Sequence, residues 1–355
     1  MTKRKPKLCL LTTGGTIGMV RDADGIARPP RTPADWRRVA PQLEQNAEID
    51  IVELLNKDST NVTPADWSLI ANAVYERWDD YDGFMIVHGT DTMHYSASAL
   101  ALALGPPPLP APVVLTGAQR LPDADDADGP TNLLFAGAIA AEREVAEVVI
   151  AFGGRVLRGC RAEKTDAHRL LAFDSPGCPL LGELRKQVEW NTSAVRRTPG
   201  AVRPVRSLYA EFAERVLPIP VSPGLEPGLF RECLHPERIN GVILRTLGAG
   251  NVPNMSPHSW VDFIAEATRQ DIPVLLTSPF PAGSTAGSVY APGREAAEAG
   301  AIPTGNLTAA CAEVKFRWAI ARAQHVGGDL ISQVRSVMDR VWVGEMDAPS
   351  ATLPA

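Results

Sequence analysis

The chain has 355 residues, enough for two domains, and 45% apolar with 21% charged residues is typical of a soluble globular protein. The formal net charge of -6 provides no basic surface for nucleic acid, so we expect no nucleic-acid partner. The five cysteines form no C-x-x-C pair, and no apolar run reaches membrane-spanning length. We therefore expect a cytoplasmic protein with no disulfide framework, no zinc site and no membrane contact.

Short apolar runs alternate with segments of helical periodicity, which is typical of parallel strands joined by crossover helices. The first half of the chain contains five candidate strands, over Lys7–Thr12, Ile49–Leu55, Gly83–His88, Pro112–Leu115 and Glu147–Phe152. Thr63 followed by Pro64 predicts the start of a helix through about Trp78. Gly129 and Pro130 open another predicted helix, which runs through about Arg143.

The alternation of apolar runs with helical segments is absent between about Lys186 and Arg215 and then resumes. The second half predicts strands at Gly241–Arg245 and Ile272–Thr277, and helices near Pro257–Gln270, Ala309–His325 and Asp329–Arg340. We therefore predict an α/β fold with two domains. Residues 1–188 form a larger domain around a mostly parallel sheet flanked by helices, residues 189–214 a linker, and residues 215–355 a smaller α/β domain.

A glycine or hydroxyl cluster follows each predicted strand of the first half: TTGGT at 12–16, NKDST at 56–60, HGTDT at 88–92, TGAQR at 116–120 and FGGR at 152–155. The carboxyl ends of parallel strands meet at one edge of a sheet, where ligands bind near a topological switch point. TTGGT lacks the first glycine of a dinucleotide fingerprint and the lysine of a P-loop. Thr16 is therefore either a cap of the following segment or a nucleophile.

Thr90 and Asp91 precede a predicted helix, where either one could serve as its N-cap. A threonine hydroxyl takes part in catalysis only beside a base. A carboxylate is a poor base for a hydroxyl, whereas a lysine whose pKa is lowered by burial can serve. Lys164, about ten residues after Gly153-Gly154, is placed over the same edge, although a single loop lysine is more often solvated.

Several motifs in consistent order cover nearly the whole chain: TTGGTIGM, YDGFMIVHGTDTM, DST at 58–60, TGAQ at 116–119, DGPTNL at 128–133, LRG-x-R-x-x-K at 157–164 and ILR-x-x-GAGN at 243–251. With these motifs the sequence resembles the bacterial-type L-asparaginase family, and most closely its cytoplasmic type I branch. The resemblance implies the two-domain asparaginase/glutaminase-like fold.

The resemblance also implies catalytic roles. Thr16 matches the nucleophile that forms an acyl-enzyme, and Thr90, Asp91 and Lys164 match a triad that activates the nucleophile or the attacking water. Many relatives carry a tyrosine in the loop after the first motif, where this chain has Ile26. Tyr290, in VYAPG, matches a tyrosine that some relatives contribute instead from the C-terminal domain.

Substrate-binding roles follow in the same way. Asp58, Ser59 and Thr60 match the stretch that holds the α-amino and α-carboxylate groups, and the backbone near Ala118 matches the part that binds the amide oxygen as oxyanion. Gly15 is a further predicted substrate-binding residue. Asn251 matches a residue that reaches the active site of a neighbouring subunit. The resemblance therefore implies a homodimer or homotetramer.

Together these features predict an enzyme, an L-asparaginase that converts L-asparagine and water to L-aspartate and ammonia with no metal or cofactor. One alternative is an amidase of the same family that prefers glutamine or another amide. Another is a non-catalytic sensor that binds asparagine or aspartate. This alternative stays open because Ile26 stands where many relatives carry a tyrosine. A component of a tRNA-linked amidotransferase would need an added nucleic-acid-binding region, which neither the length nor the charge provides.

Overall fold

A computed structural model describes residues 4–21, 24–28, 41–142, 144–197, 208–281, 283–285 and 290–347. Contacts along the chain divide it into two units, Met1–Ala210 and Glu211–Ala355. Each unit is α/β, as the sequence predicts. The domain bounds 1–188, 189–214 and 215–355 stay a prediction.

The larger unit is built on an eight-stranded sheet. Its strands are β1 (Lys7–Gly14), β4 (Glu48–Lys57), β5 (Gly83–Val87), β6 (Val113–Thr116), β7 (Val148–Phe152), β8 (Arg155–Arg158), β11 (Gly182–Leu184) and β12 (Val188–Trp190). Two short ladders join β2 (Val20–Arg21) to β3 (Ala27–Arg28) and β9 (Glu163–Lys164) to β10 (Phe173–Asp174). The order across the large sheet is β12-β11-β8-β7-β6-β5-β1-β4.

The five strands predicted for the first half form the parallel part of this sheet, β4-β1-β5-β6-β7. β4 is the edge strand of the sheet, and the other four are interior strands made of short apolar runs; β5, for example, is buried along its whole length. The antiparallel strands β8, β11 and β12 are absent from the prediction. They have only three or four residues each, too few to show a period.

Helices pack on this sheet: α1 (Leu43–Asn46), α2 (Pro64–Glu76), α3 (Met93–Leu104) and α4 (Gly129–Ala141). The predicted start of α2 is confirmed, with Thr63 as N-cap and Pro64 in the first turn. The Asp66 carboxylate accepts the Thr63 backbone N–H (2.8 Å) and lies 2.7 Å from the Lys57 ammonium. Although burial acts to raise the pKa of Asp66, these bonds lower it below the usual value. The contacts tie the end of β4 to the start of α2.

The smaller unit contains a parallel sheet in the order β13-β14-β15-β16. Its strands are β13 (Val216–Pro220), β14 (Gly241–Arg245), β15 (Val274–Thr277) and β16 (Ile302–Pro303). Its helices are α5 (Trp260–Arg269), α6 (Ala291–Glu298), α7 (Ala309–Val326) and α8 (Leu330–Asp339). The predicted strands and helices of this half are confirmed, whereas β13, β16 and α6 are absent from the prediction. The core includes Trp260, Phe263 and Leu244, all fully buried.

An ion pair is buried in the smaller unit. Lys315 on α7 and Glu345 near the C-terminus both have 0% exposed side chains, and Lys315 Nζ lies 2.8 Å from Glu345 Oε1. Lys315 also donates to the backbone carbonyls of Met338 and Arg340, and Glu345 accepts the backbone N–H groups of Trp342 and Val343. The pair therefore fixes the chain that follows α8 against α7.

Candidate active site

The polar segments after β4, β1, β5 and β6 lie side by side, because these strands are neighbours and run parallel. From β1 the chain first adds β4 on one side and then crosses to place β5 on the other. The switch point of the sheet is therefore between β1 and β5. Thr16 follows β1 and Thr90 follows β5, which is where open α/β sheets bind ligands.

The turn after β1 presents Thr16. Gly15 has φ +91, a backbone conformation that favours glycine, and Thr16 begins a single 3-10 turn, Thr16–Gly18. Ile17 is fully buried beneath this turn and faces Gly129 at the start of α4. Thr16 itself is half-buried. The buried Ile17 side chain therefore fixes the turn, and Thr16 lies at the edge of the sheet.

Two glycines, Gly15 and Gly89, allow the turns after β1, β4 and β5 to approach one another closely. A Cβ built on Gly15 would lie 2.5 Å from the backbone nitrogen of Gly89, and a Cβ on Gly89 would lie 2.6 Å from Ser59 Oγ. Side chains at these two positions would push the turns apart. The two glycines therefore bring the segments carrying Thr16, Ser59 and Thr90 into direct contact.

We expect Gly15→Ala to lower any activity of this site by about 100-fold, because moving the turn by about 1 Å displaces Thr16 from Thr90. Gly25→Ala is the matched control. Gly25 also has a positive φ, +77, but nothing lies within 4 Å of its built Cβ. Ammonia release from an amide substrate is the measurement; equal losses in the two variants would contradict the close-approach explanation.

Lys164, Thr90 and Asp91 form a continuous hydrogen-bonded group. Lys164 Nζ donates to Thr90 Oγ1 (2.8 Å) and to Asp91 Oδ1 (2.6 Å). The Lys164 side chain is only 12% exposed, whereas that of Asp91 is 57% exposed. The ladder between β9 and β10 holds Lys164 in place, since Lys164 pairs with Phe173. The structure thus places side by side the three residues that the family resemblance groups as a triad.

Two buried histidines border this group. His88 is fully buried between the Gly89 carbonyl (2.7 Å) and Ser96 Oγ (2.8 Å), and burial lowers its pKa. Burial and the neighbouring charge of Lys164 lower the pKa of His94 to about 4. His94 is therefore neutral at pH 7, so its 3.4 Å contact with Glu163 is no ion pair. Of these nitrogen groups, Lys164 is the one that is hydrogen-bonded to Thr90.

A buried carboxylate holds the turn after β6, which contains Ala118. Asp128 accepts the backbone N–H groups of Gln119 (3.1 Å) and Arg120 (2.9 Å), and it also accepts Asn132 Nδ2 (2.9 Å). Asn132 donates in turn to the Gly117 carbonyl (3.0 Å). Asp128 and Asn132 are absent from the predicted site. In the sequence, these two residues could have been found as an Asp and an Asn one helical turn apart at the start of α4.

We expect Asp128→Asn to lower the free energy of unfolding by about 1–3 kcal/mol, because an amide replaces one acceptor and leaves a buried donor unpaired. Asp126→Asn is the matched control. Asp126 lies two residues away, is 58% exposed and forms an ion pair with Arg120 at the surface. It should change stability by less than about 0.5 kcal/mol. Urea unfolding measures both, and equal effects would contradict this role of Asp128.

The turn after β4 carries Asp58, Ser59 and Thr60. Asp58 Oδ1 accepts both the backbone N–H (2.9 Å) and the hydroxyl (2.8 Å) of Thr60. Ser59 is buried, and its carbonyl accepts the Thr92 hydroxyl (2.7 Å). The last contact ties this turn to the one that carries Thr90. The three predicted substrate-binding residues therefore belong to the same cluster of turns.

Tyr290 and Asn251 belong to the smaller unit. Tyr290 immediately precedes α6 and is 66% exposed. The backbone of Asn251 pairs with Leu247 through two bonds of 2.9 Å, and Asn251 Oδ1 is buried without a hydrogen-bond partner among the described residues. The predicted roles of both residues stay predictions.

Within the described ranges, no three His, Cys, Asp or Glu side chains group as metal ligands would. In the same part of the chain, no helix is long and apolar enough to cross a membrane.

Comparison with known proteins finds both halves of the chain in one family. The family model described as asparaginase, N-terminal, matches residues 7–196, and the glutaminase/asparaginase C-terminal domain matches residues 215–327. The L-asparaginase of Thermococcus kodakarensis is 31% identical over 340 residues, which cover 96% of this chain and 99% of that protein. A glutamyl-tRNA(Gln) amidotransferase subunit of Methanosphaera stadtmanae is 32% identical over 357 residues, which cover 98% of this chain and 78% of that protein.

Solved structures agree with this family. L-asparaginase I from Vibrio cholerae has a TM-score of 0.82 and 30% identity over 97% of this chain and 100% of that one. The thermostable L-asparaginase from Thermococcus kodakarensis has a TM-score of 0.82 and 30% identity, covering 96% of this chain and 99% of that one. The sheet order, the cluster of turns at its switch point and these matches lead to one conclusion: the chain belongs to the asparaginase family.

Proposed function

We propose that this chain hydrolyses L-asparagine to L-aspartate and ammonia through Thr16. The observation that carries the proposal is the hydrogen-bonded group of Lys164, Thr90 and Asp91 at the switch point, next to the turn that presents Thr16. An amide hydrolase needs a nucleophile, a proton acceptor, a donor to the leaving group and hydrogen bonds to the developing oxyanion. The turns at this edge supply candidates for each of these roles.

In the proposed reaction, the Thr16 hydroxyl attacks the side-chain carbonyl carbon of asparagine, and its proton leaves for the base. Collapse of the tetrahedral intermediate breaks the C–N bond, and the nitrogen departs as ammonia after it receives a proton. Water then attacks the resulting ester, so that aspartate leaves and the Thr16 hydroxyl is restored. Lys164 exchanges protons with the Thr90 hydroxyl, and Asp91 compensates the charge of the ammonium form.

For the remaining roles the proposal takes over what the family resemblance implies. Asp58 binds the substrate α-amino group and the Ser59–Thr60 turn its α-carboxylate, while backbone groups at Gly15 and Ala118 face the amide. In this proposal Tyr290 assists Thr16 in place of the loop tyrosine that Ile26 replaces. Asn251 completes the site of a neighbouring copy, so the active form is a homodimer or homotetramer, and it works in the cytoplasm.

Ammonia release from L-asparagine and L-glutamine tests the proposal. We expect kcat/KM to be higher for asparagine, by about 10-fold or more, because one extra methylene in a closed pocket is worth about 1–3 kcal/mol. A higher value for glutamine would make the chain an amidase of the same family with the longer substrate. Aspartate binding without ammonia release from either amide would favour the sensor.

A second candidate is a component of a glutamyl-tRNA(Gln) amidotransferase. It is favoured by one observation, the 32% identity to the amidotransferase protein of Methanosphaera stadtmanae, which is as high as the 31% identity to the L-asparaginase of Thermococcus kodakarensis. The net charge of -6 argues against it, because tRNA binding requires a basic surface. Fluorescence anisotropy with labelled glutamyl-tRNA(Gln) distinguishes the two, and saturable binding at physiological salt would favour the amidotransferase.

A further inference from the structure

The carboxamide of Gln119 is hydrogen-bonded to the triad. Thr90 Oγ1 lies 2.9 Å from Gln119 Oε1, and Gln119 Nε2 lies 3.4 Å from the backbone carbonyl of Arg169. The Arg169 carbonyl can only accept, so the amide nitrogen must face it and the amide oxygen must face Thr90. The two neighbours of the carboxamide thus determine its orientation.

The direction of the bond between Thr90 and Gln119 follows from Lys164. An ammonium group donates and cannot accept, so Thr90 must accept from Lys164. The single proton of the Thr90 hydroxyl is then given to Gln119 Oε1. Lys164 therefore donates to Thr90, and Thr90 donates to Gln119. Activation of a nucleophile or water by Thr90 needs the opposite direction, from Thr90 toward Lys164.

We propose that Gln119 is a resting-state partner of Thr90, a built-in carboxamide that occupies the position of a substrate or water group and must leave before catalysis. This inference rests on the proposed function, because it concerns the same hydroxyl. In the proposed reaction Thr90 exchanges its proton with Lys164, so the bond from Thr90 to Gln119 must break when substrate binds, and the cost of breaking it raises the KM of the enzyme.

The surroundings of Gln119 allow its side chain to move while its backbone stays in place. Asp128 holds the backbone N–H groups of Gln119 and Arg120. By contrast, the 3.4 Å contact of Nε2 with Arg169 is longer than the usual range of about 2.7–3.2 Å and is therefore weak. Rotation of the side chain breaks one good hydrogen bond, the one to Thr90.

The test is the KM for L-asparagine of Gln119→Met and Gln119→Glu. Methionine keeps the length of the side chain but removes the amide acceptor, so we expect KM to fall by about 3- to 10-fold with kcat within about twofold, as loss of one neutral hydrogen bond in the free enzyme predicts. Glutamate offers a charged acceptor to Thr90 beside Lys164, so we expect KM to rise. Gln45→Met, on the exposed face of α1, is the matched control and should leave both constants unchanged.

A rise of KM in Gln119→Met would show that Gln119 binds the substrate, and a loss of kcat at constant KM would show that it acts in the reaction; either result would overturn the proposal. Calorimetric titration with L-aspartate keeps this test separate from the proposed function, because it requires no turnover. We expect aspartate to bind Gln119→Met about 3- to 10-fold more tightly than the wild type. Equal or weaker binding would overturn the role of Gln119 alone, whereas tighter binding with no ammonia release would contradict only the proposed function.

Discussion

Lys164→Arg is expected to lower kcat for L-asparagine by about 1,000-fold, within the range of about 10²–10⁴ that general acid–base catalysis contributes. Arginine retains the positive charge and the length to reach Asp91, which lies 2.6 Å from Lys164 in the structure. It does not lose its proton in proteins, so it cannot take a proton from Thr90. The variant therefore removes the base and keeps the ion pair.

Lys164→Met extends this test, because it removes both the base and the charge beside Asp91. We expect its kcat to fall as far as that of Lys164→Arg, since loss of the base alone already stops proton transfer. Ammonia release and circular dichroism on both variants give activity and folding. If Lys164→Arg kept about a tenth or more of the wild-type kcat while Lys164→Met lost it, charge would be the contribution of Lys164, and the base would have to be another group.

Lys315→Met is expected to lower the free energy of unfolding by about 3–5 kcal/mol, the usual cost of leaving one partner of a buried ion pair alone. Both side chains are fully buried and 2.8 Å apart. The change also removes the donor to the carbonyls of Met338 and Arg340. Because the buried Glu345 carboxylate would lose its ammonium partner, the segment after α8 should separate from α7 in the variant.

A double variant and a surface control make this stability test specific. In Lys315→Met/Glu345→Gln the buried charge is gone, so we expect it to be more stable than Lys315→Met alone. Glu298→Gln removes an ion-pair partner of Arg294 that is 68% exposed, and it should change stability by less than about 0.5 kcal/mol. Urea unfolding of the three variants measures these differences. A double variant less stable than Lys315→Met would contradict this explanation of the pair.

The parallel strands and the sheet edge that carries the candidate site could be predicted because their signals are local. Each parallel strand is a short apolar run followed by glycine and hydroxyl residues, and parallel strands share an edge by topology. The grouping of Lys164 with Thr90 and Asp91 needed the family resemblance, because 73 positions separate Lys164 from Asp91. A loop lysine by itself carries no such information.

Other features depend on contacts that no pattern in the sequence expresses. The bond of Gln119 to Thr90 and the hold of Asp128 on the turn after β6 appear only when the ends of β5, β6 and α4 are brought together. The same is true of Lys315, which in the sequence is one of several basic residues on α7. Its burial follows from the segment that covers it after α8.

The most direct test of the proposed hydrolysis is ammonia release from L-asparagine by the wild-type protein and by Thr16→Ala, with folding of both checked by circular dichroism. We predict turnover by the wild type and a loss of at least about 1,000-fold in the folded variant, since removal of a nucleophile leaves only the rest of the site. Comparable turnover by the two proteins would contradict the assignment of Thr16, and no ammonia from the folded wild type would contradict the hydrolase itself.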